Sequence, residues 1–115
     1  ERGITDVIHL GDVVDRRKFI NFKTLNSMKE ILFHPLEEMG VNTRLIVGNH
    51  DIYYKNTLKV NSMEELTRGM NNVSVYSDPC EVSLTKEHKV LFVPWMCADN
   101  EDATKELKQH LVIYI

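Results

Sequence analysis

The chain has 115 residues, 43% apolar and 27% charged, with 5 Gly, 3 Pro and a formal net charge of −3. This suits one small packed domain and excludes wholesale disorder, a collagen-like chain, and a broad basic surface that holds nucleic acid by charge alone. No apolar run approaches the ~18 to 20 residues of a membrane-spanning helix, and the two cysteines, Cys80 and Cys97, lack a CxxC spacing and read as free thiols in a reducing compartment.

The chain opens on Glu1-Arg2-Gly3, with no initiator Met and no signal-peptide core, so it reads as an internal piece of a longer protein. Asp6-Val7-Ile8-His9-Leu10 is a short apolar run that stops at Gly11-Asp12, which predicts a buried strand ending in a glycine turn. From Asn21 to about Met39, the residues Phe22, Leu25, Met28, Leu32, Leu36 and Met39 recur at steps of three and four. That spacing predicts one apolar stripe along a helix, kinked or restarted at Pro35 and stopped at Gly40.

Thr43-Arg44-Leu45-Ile46-Val47 predicts a second strand, again followed by a glycine turn, Gly48-Asn49-His50-Asp51. Ser62 with Glu65 forms a capping-box pattern and predicts a helix to about Gly69. Strands are predicted over 73–76, 81–84 and 89–93, with a turn at Ser77-Asp78-Pro79. A further helix starts near Asp99 and Asn100, and Leu111-Val112-Ile113-Tyr114-Ile115 is a last β-rich run. The alternation predicts an α/β layered fold, with a mixed sheet because 73–93 reads as hairpin-like.

Two loops carry the chemistry: Gly11-Asp12-Val13-Val14-Asp15-Arg16 and Gly48-Asn49-His50-Asp51. Each directly follows a predicted strand. Loops at the carboxyl ends of neighbouring strands meet in one crevice, and glycine lets the backbone turn sharply there. Asp12, Asn49 and His50 can therefore converge. A carboxylate and an amide oxygen suit hard or borderline divalent cations, and an imidazole can ligate or transfer a proton. Neither loop holds a thiolate, which argues against a structural zinc site.

GDxxDR followed by GNHD, each after a strand, resembles the calcineurin-like metallophosphoesterase superfamily. The flanks, Asp12-Val13-Val14-Asp15-Arg16-Arg17-Lys18-Phe19-Ile20-Asn21 and His50-Asp51-Ile52-Tyr53-Tyr54-Lys55-Asn56, together with Val93-Pro94-Trp95, resemble the phage recombination nuclease subunits of the SbcD type, relatives of the double-strand-break repair nuclease. The resemblance implies a layered metallophosphoesterase fold with a mixed sheet, present as a central fragment: residues 1–115 form one partial domain. Of the family's ordered motifs, DxH, the later lone His and GHxH are absent. The resemblance further implies that Asp12 and Asn49 are metal ligands. His50 and Asp15 would be catalytic, Asp15 by orienting His50. Arg16, Arg17, Tyr54 and Lys55 are candidates for substrate binding. The cofactor implied is a pair of Mn²⁺ ions, with Mg²⁺ as the alternative.

The implied activity is metal-dependent DNA exo/endonuclease chemistry in recombination and repair. Implied partners are DNA, an SbcC-type coiled-coil ATPase and a second copy in a homodimer. The implied place is the cytoplasm, that of a bacterial host for a phage gene, with no membrane association. With two of the family's ligands in hand, the isolated polypeptide is expected to bind Mn²⁺ weakly and to be inactive. The competing readings are a phosphomonoesterase or cyclic-nucleotide phosphodiesterase of the same superfamily, and a non-catalytic scaffold. His9, His34, His88 and His110 are not read as ligands, Trp95 and Met96 are read as core or edge packing, and both thiols as inert.

Overall fold

The computed structural model describes residues 2–14, 21–52 and 62–110, without the side chains of residues 62 and 108–110. Strand β1 spans Asp6–His9, β2 Asn42–Ile46 and β3 Val73–Tyr76. They form a three-stranded parallel sheet in the order β1-β2-β3. The register pairs His9 with Leu45 and Leu45 with Val75. Strand β2 is therefore central, and it ends in a deeply buried run, Leu45 and Ile46, that continues into Val47 just past the strand. Its Leu45 side chain belongs to the core formed with Val14, Phe33, Met63 and Leu66, while Val47, just beyond the strand, packs with Ile52 in a second cluster. On its other face Arg44 bonds Asp6 and the Tyr76 hydroxyl, both at 3.1 Å, tying all three strands together.

The crossover from β1 to β2 is one helical stretch in three pieces: α1 (Phe22–Met28), a π turn (Lys29–Phe33) and α2 (His34–Glu38). Asn21 starts it, its side chain accepting the Thr24 N–H at 2.8 Å. Pro35 enters at the beginning of α2. Proline has no N–H, and its ring collides with the carbonyl four residues back in a regular helix. The chain answers by widening rather than breaking: the His34 N–H reaches Lys29 O, five residues back.

The widened turn also resets which residues face inward. Leu25 and Met28 lie against the core as the stripe predicts, but the next buried side chain is Phe33, fully enclosed. Phe22, Leu32 and Met39 stay exposed. A strict three-four count fails here because one inserted residue rotates the following side chains by about a quarter turn. Gly40, with φ of +69°, ends α2; the Gly40 N–H bonds Glu37 O and the Val41 N–H bonds Leu36 O, both at 2.9 Å. This is the paired bonding of a left-handed helix stop.

Helix α3 (Ser62–Leu66) inserts Met63 and Leu66 into the core, then turns at Gly69 toward β3. Strands β4 (Cys80–Ser83) and β5 (Lys89–Phe92) form a separate antiparallel pair. Parallel and antiparallel strands both occur, as predicted, but in two sheets instead of one mixed sheet. The reason is local: β4 and β5 are joined by a short loop closed by Leu84 N–H to His88 O at 2.9 Å, and such neighbours pair readily. The hairpin meets the parallel sheet where the Phe92 ring stands edge-on to Tyr76, centroids 4.8 Å apart. Helix α4 (Glu101–His110) follows. Among the described residues no helix is long and apolar enough to cross a membrane. The β-rich run 111–115 lies outside the described residues.

Candidate functional site

The two glycine loops leave the carboxyl ends of β1 and β2, which are adjacent and parallel. The register brings Gly11 against Gly48. A methyl on Gly11, whose φ is +97°, would lie 2.7 Å from Gly48 N and 2.9 Å from Ile46 O. A methyl on Gly48 would run into the Asp12 carboxylate and backbone, with Asp12 Cγ at 2.9 Å. The loops thus touch backbone to backbone, an approach open only to residues without a Cβ.

Two carboxylates lock this contact, each reaching across to the other loop. Asp12 Oδ1 accepts the His50 N–H at 2.9 Å, a partner 38 positions away. In return Asp51 Oδ2 accepts the Asp12 N–H and the Gly48 N–H, both at 2.8 Å, and Asp51 Oδ1 accepts the Val13 N–H at 3.0 Å. Asp51 is 1% exposed, whereas the Asp12 side chain faces solvent. Burial pushes the Asp51 carboxyl above its ordinary range, against the pull of the Gly48 and Asp12 N–H groups, and the nearby Asp12 charge adds to the rise. Asp12 itself holds φ of +54°, the single non-glycine residue with positive φ among those described. A side chain in that region costs about 1 to 2 kcal/mol, which the clasp must offset.

The rim therefore gathers Asp12 and His50 directly. Asn49 stands between two residues of the same junction, Gly48 and His50, and is half-buried. Asp15, Arg16, Arg17, Tyr54 and Lys55 lie outside the described residues. Two of the other histidines, His9 and His88, have local work. His9 Nδ1 accepts the Gly11 N–H at 3.3 Å, and His88 pairs with Thr85 at 2.9 Å in the β4–β5 connection. Trp95 and Met96 take the edge position of the two expected: they are half-exposed, and the Trp95 N–H bonds Val47 O at 2.8 Å, beside the end of β2. Buried Asn100 secures this segment, accepting the Cys97 N–H at 2.9 Å and donating to Trp95 O at 3.0 Å. No catalytic or binding role follows from the sequence for Asp51 or Asn100, though the sequence does place Asn100 at the start of the last helix. For Asp51 the available signal was an acid directly after a glycine-turn histidine, where a solvated loop would be the default.

The donor set fits a hard divalent cation. A solvent-facing carboxylate with spare lone pairs and a side-chain amide offer oxygen and no sulfur. Among the described residues no group of three or more His, Cys, Asp or Glu side chains is arranged to hold a metal ion. Asp12 carries the carboxylate and Asn49 the amide.

Compared with known proteins, the chain is similar to exonuclease subunit 1 of Enterobacteria phage T4, 38% identical over 111 residues. The match covers 96% of this chain and 31% of that protein, so the chain spans about a third of its relative's length. The likeness to phage nuclease subunits carried by the two loops therefore extends along nearly the whole chain. No protein-family model matches it, and no solved structure matches it significantly.

Proposed function

We propose that this chain is the central part of a calcineurin-like metallophosphoesterase that hydrolyses DNA phosphodiesters in phage recombination and repair, using two Mn²⁺ or Mg²⁺ ions. The observation that carries the reading is the Asp12–His50 bond, which joins two loops from neighbouring strand ends into one rim. Both residues belong to the motifs that resemble the family, and the relative is named an exonuclease subunit.

In this reading Asp12 and Asn49 provide oxygen ligands. The bound metals would supply charge neutralisation at phosphate and a more acidic water. The remaining work belongs to the chain. His50, its backbone held by Asp12, keeps an imidazole at the rim, where it gives a proton to the departing oxygen. The glycine pair lets both strand ends approach closely enough for one phosphate to meet residues of both loops. Asp15, Arg16, Arg17, Tyr54 and Lys55 are the positions that would extend the rim toward His50 and the DNA backbone. The word subunit in the relative's name favours a complex; an SbcC-type ATPase and a second copy are the partners proposed, in a cytoplasmic setting.

The test uses the full-length parent protein with Mn²⁺, assayed on linear DNA and on p-nitrophenyl phosphate. Cleavage of DNA is expected, and His50→Gln should slow it by roughly 10² to 10⁴-fold while leaving DNA binding intact. Hydrolysis of the monoester without DNA cleavage would replace the nuclease reading by a phosphomonoesterase. Hydrolysis of neither would point to a scaffold.

A further inference from the structure

We propose that Asp51 is a positioning residue for Asp12, and through it for the metal in the function proposed above, on which this inference rests. Asp51 is not itself a ligand here. Its two oxygens accept the Asp12, Val13 and Gly48 N–H groups, and it is almost wholly enclosed. What matters is which N–H groups these are. The amides of Asp12 and Val13 flank the Asp12 Cα on either side. Holding both fixes φ and ψ of Asp12, and so the direction of its Cα–Cβ bond. The third, Gly48 N–H, belongs to the opposite loop. One carboxylate thereby sets the orientation of Asp12 and the spacing of the two strand ends together.

The chemistry requires a carboxylate at this place. The Asp12, Val13 and Gly48 N–H groups are all donors, so both oxygens must accept. An asparagine would turn an NH₂ toward at least one N–H, leaving that amide unsatisfied in a closed site. The backbone at Asp12, with φ of +54°, also relaxes toward the ordinary region once its flanking amides are released. Its carboxylate then swings off the His50 N–H. Loss of Asp51 is thus read out at Asp12, on the opposite loop, through the backbone amides it holds.

The experiment uses the full-length parent protein and Mn²⁺ alone as probe. Hydrogen exchange of the unaltered protein comes first. The Asp12, Val13 and Gly48 amides should be protected, and free exchange at all three would overturn the clasp before any variant is made. Asp51→Asn and Asp51→Glu are then compared with Phe33→Leu, a core change that lowers stability from the helical layer. Manganese affinity by calorimetry, and the Mn²⁺ electron-spin-resonance line shape, are the readouts. Asp51→Asn should weaken Mn²⁺ binding by about 10- to 100-fold and change the line shape, while Phe33→Leu lowers the melting temperature and leaves both unchanged. Asp51→Glu keeps the charge but moves it by one methylene. It should show the same direction of loss, and it serves alone if the asparagine variant does not fold. Mn²⁺ affinity within threefold of the unaltered protein in either folded Asp51 variant refutes the proposal. If the unaltered protein binds no Mn²⁺, the nuclease reading fails, and slow amides that become free in Asp51→Asn would still establish the clasp alone.

Discussion

Gly48→Ala isolates the loop junction from every other feature of the fold. The backbone of Gly48 lies outside the left-handed region, so alanine meets no intrinsic φ penalty there. Removing a glycine from the unfolded chain should even favour folding by about 0.4 to 1 kcal/mol. The added methyl, however, would sit 2.5 Å from Asp12 N and 2.9 Å from Asp12 Cγ, and would also strike the Asp12 carboxylate oxygen. These atoms cannot swing aside, because Asp12 N and Gly48 N are both held by Asp51 at 2.8 Å. Restoring ordinary contact needs the loops to part by about 0.5 to 1 Å, which takes a 2.8 Å bond beyond useful length. Each hydrogen bond to a charged group contributes about 1.5 to 3 kcal/mol. Losing two of the bonds that cross between the loops, less the gain from the unfolded chain, gives a net cost of about 2 to 5.5 kcal/mol. Urea unfolding of the full-length parent measures it, with Gly40→Ala as the reference. A methyl at Gly40 meets nothing within 4 Å and only the φ of +69° opposes it, a cost of about 1 to 2 kcal/mol. A Gly48→Ala variant less destabilised than Gly40→Ala would refute the reasoning.

Phe33→Ala should cost about 3 to 5 kcal/mol, since Phe33 is fully enclosed among Val14, Leu45, Met63 and Leu66. Phe22→Ala, the residue at the other end of the same helical stretch and 89% exposed, should cost little; equal losses in urea unfolding would remove the role given to the π turn. Burial first, and the Asp78 charge second, raise the Cys80 thiol above its ordinary value of 9.0. A raised value leaves less thiolate at any given pH, so iodoacetamide should alkylate Cys80 at pH 8 more slowly than it does glutathione, followed by peptide mass spectrometry. Faster alkylation of Cys80 would show an activated thiol.

Elements dictated by neighbouring residues were legible in the chain. The strand endings at Gly11 and Gly48, the start at Asn21 and the stop at Gly40 each follow from one side chain or its absence, and each stands where local chemistry places it. The helical stripe was legible only up to Met28. Pro35 announced a disturbance, but whether a proline kinks, breaks or widens a helix is decided by which form buries more apolar surface. Here the wider turn wins because it delivers Phe33 to the core. The pairing of β4 with β5, and of β3 with β2, was likewise open in a pattern that marks strands but not their neighbours.

For the candidate site the division is similar. By itself the sequence determined that two glycine loops follow two strands, and that Asp12, Asn49 and His50 have the donor types for a hard cation and a proton transfer. Those are properties of single residues and of spacing. Only the tertiary structure decided that Asp51 faces inward while Asp12 faces out, though both are aspartates in adjoining loops. The reason is that hydrogen-bond donors must be counted in three dimensions. Three backbone N–H groups, from segments 38 and more positions distant and from Gly48 beside it, converge on one point once β1 and β2 lie side by side, and the carboxylate that reaches that point is the one the fold encloses.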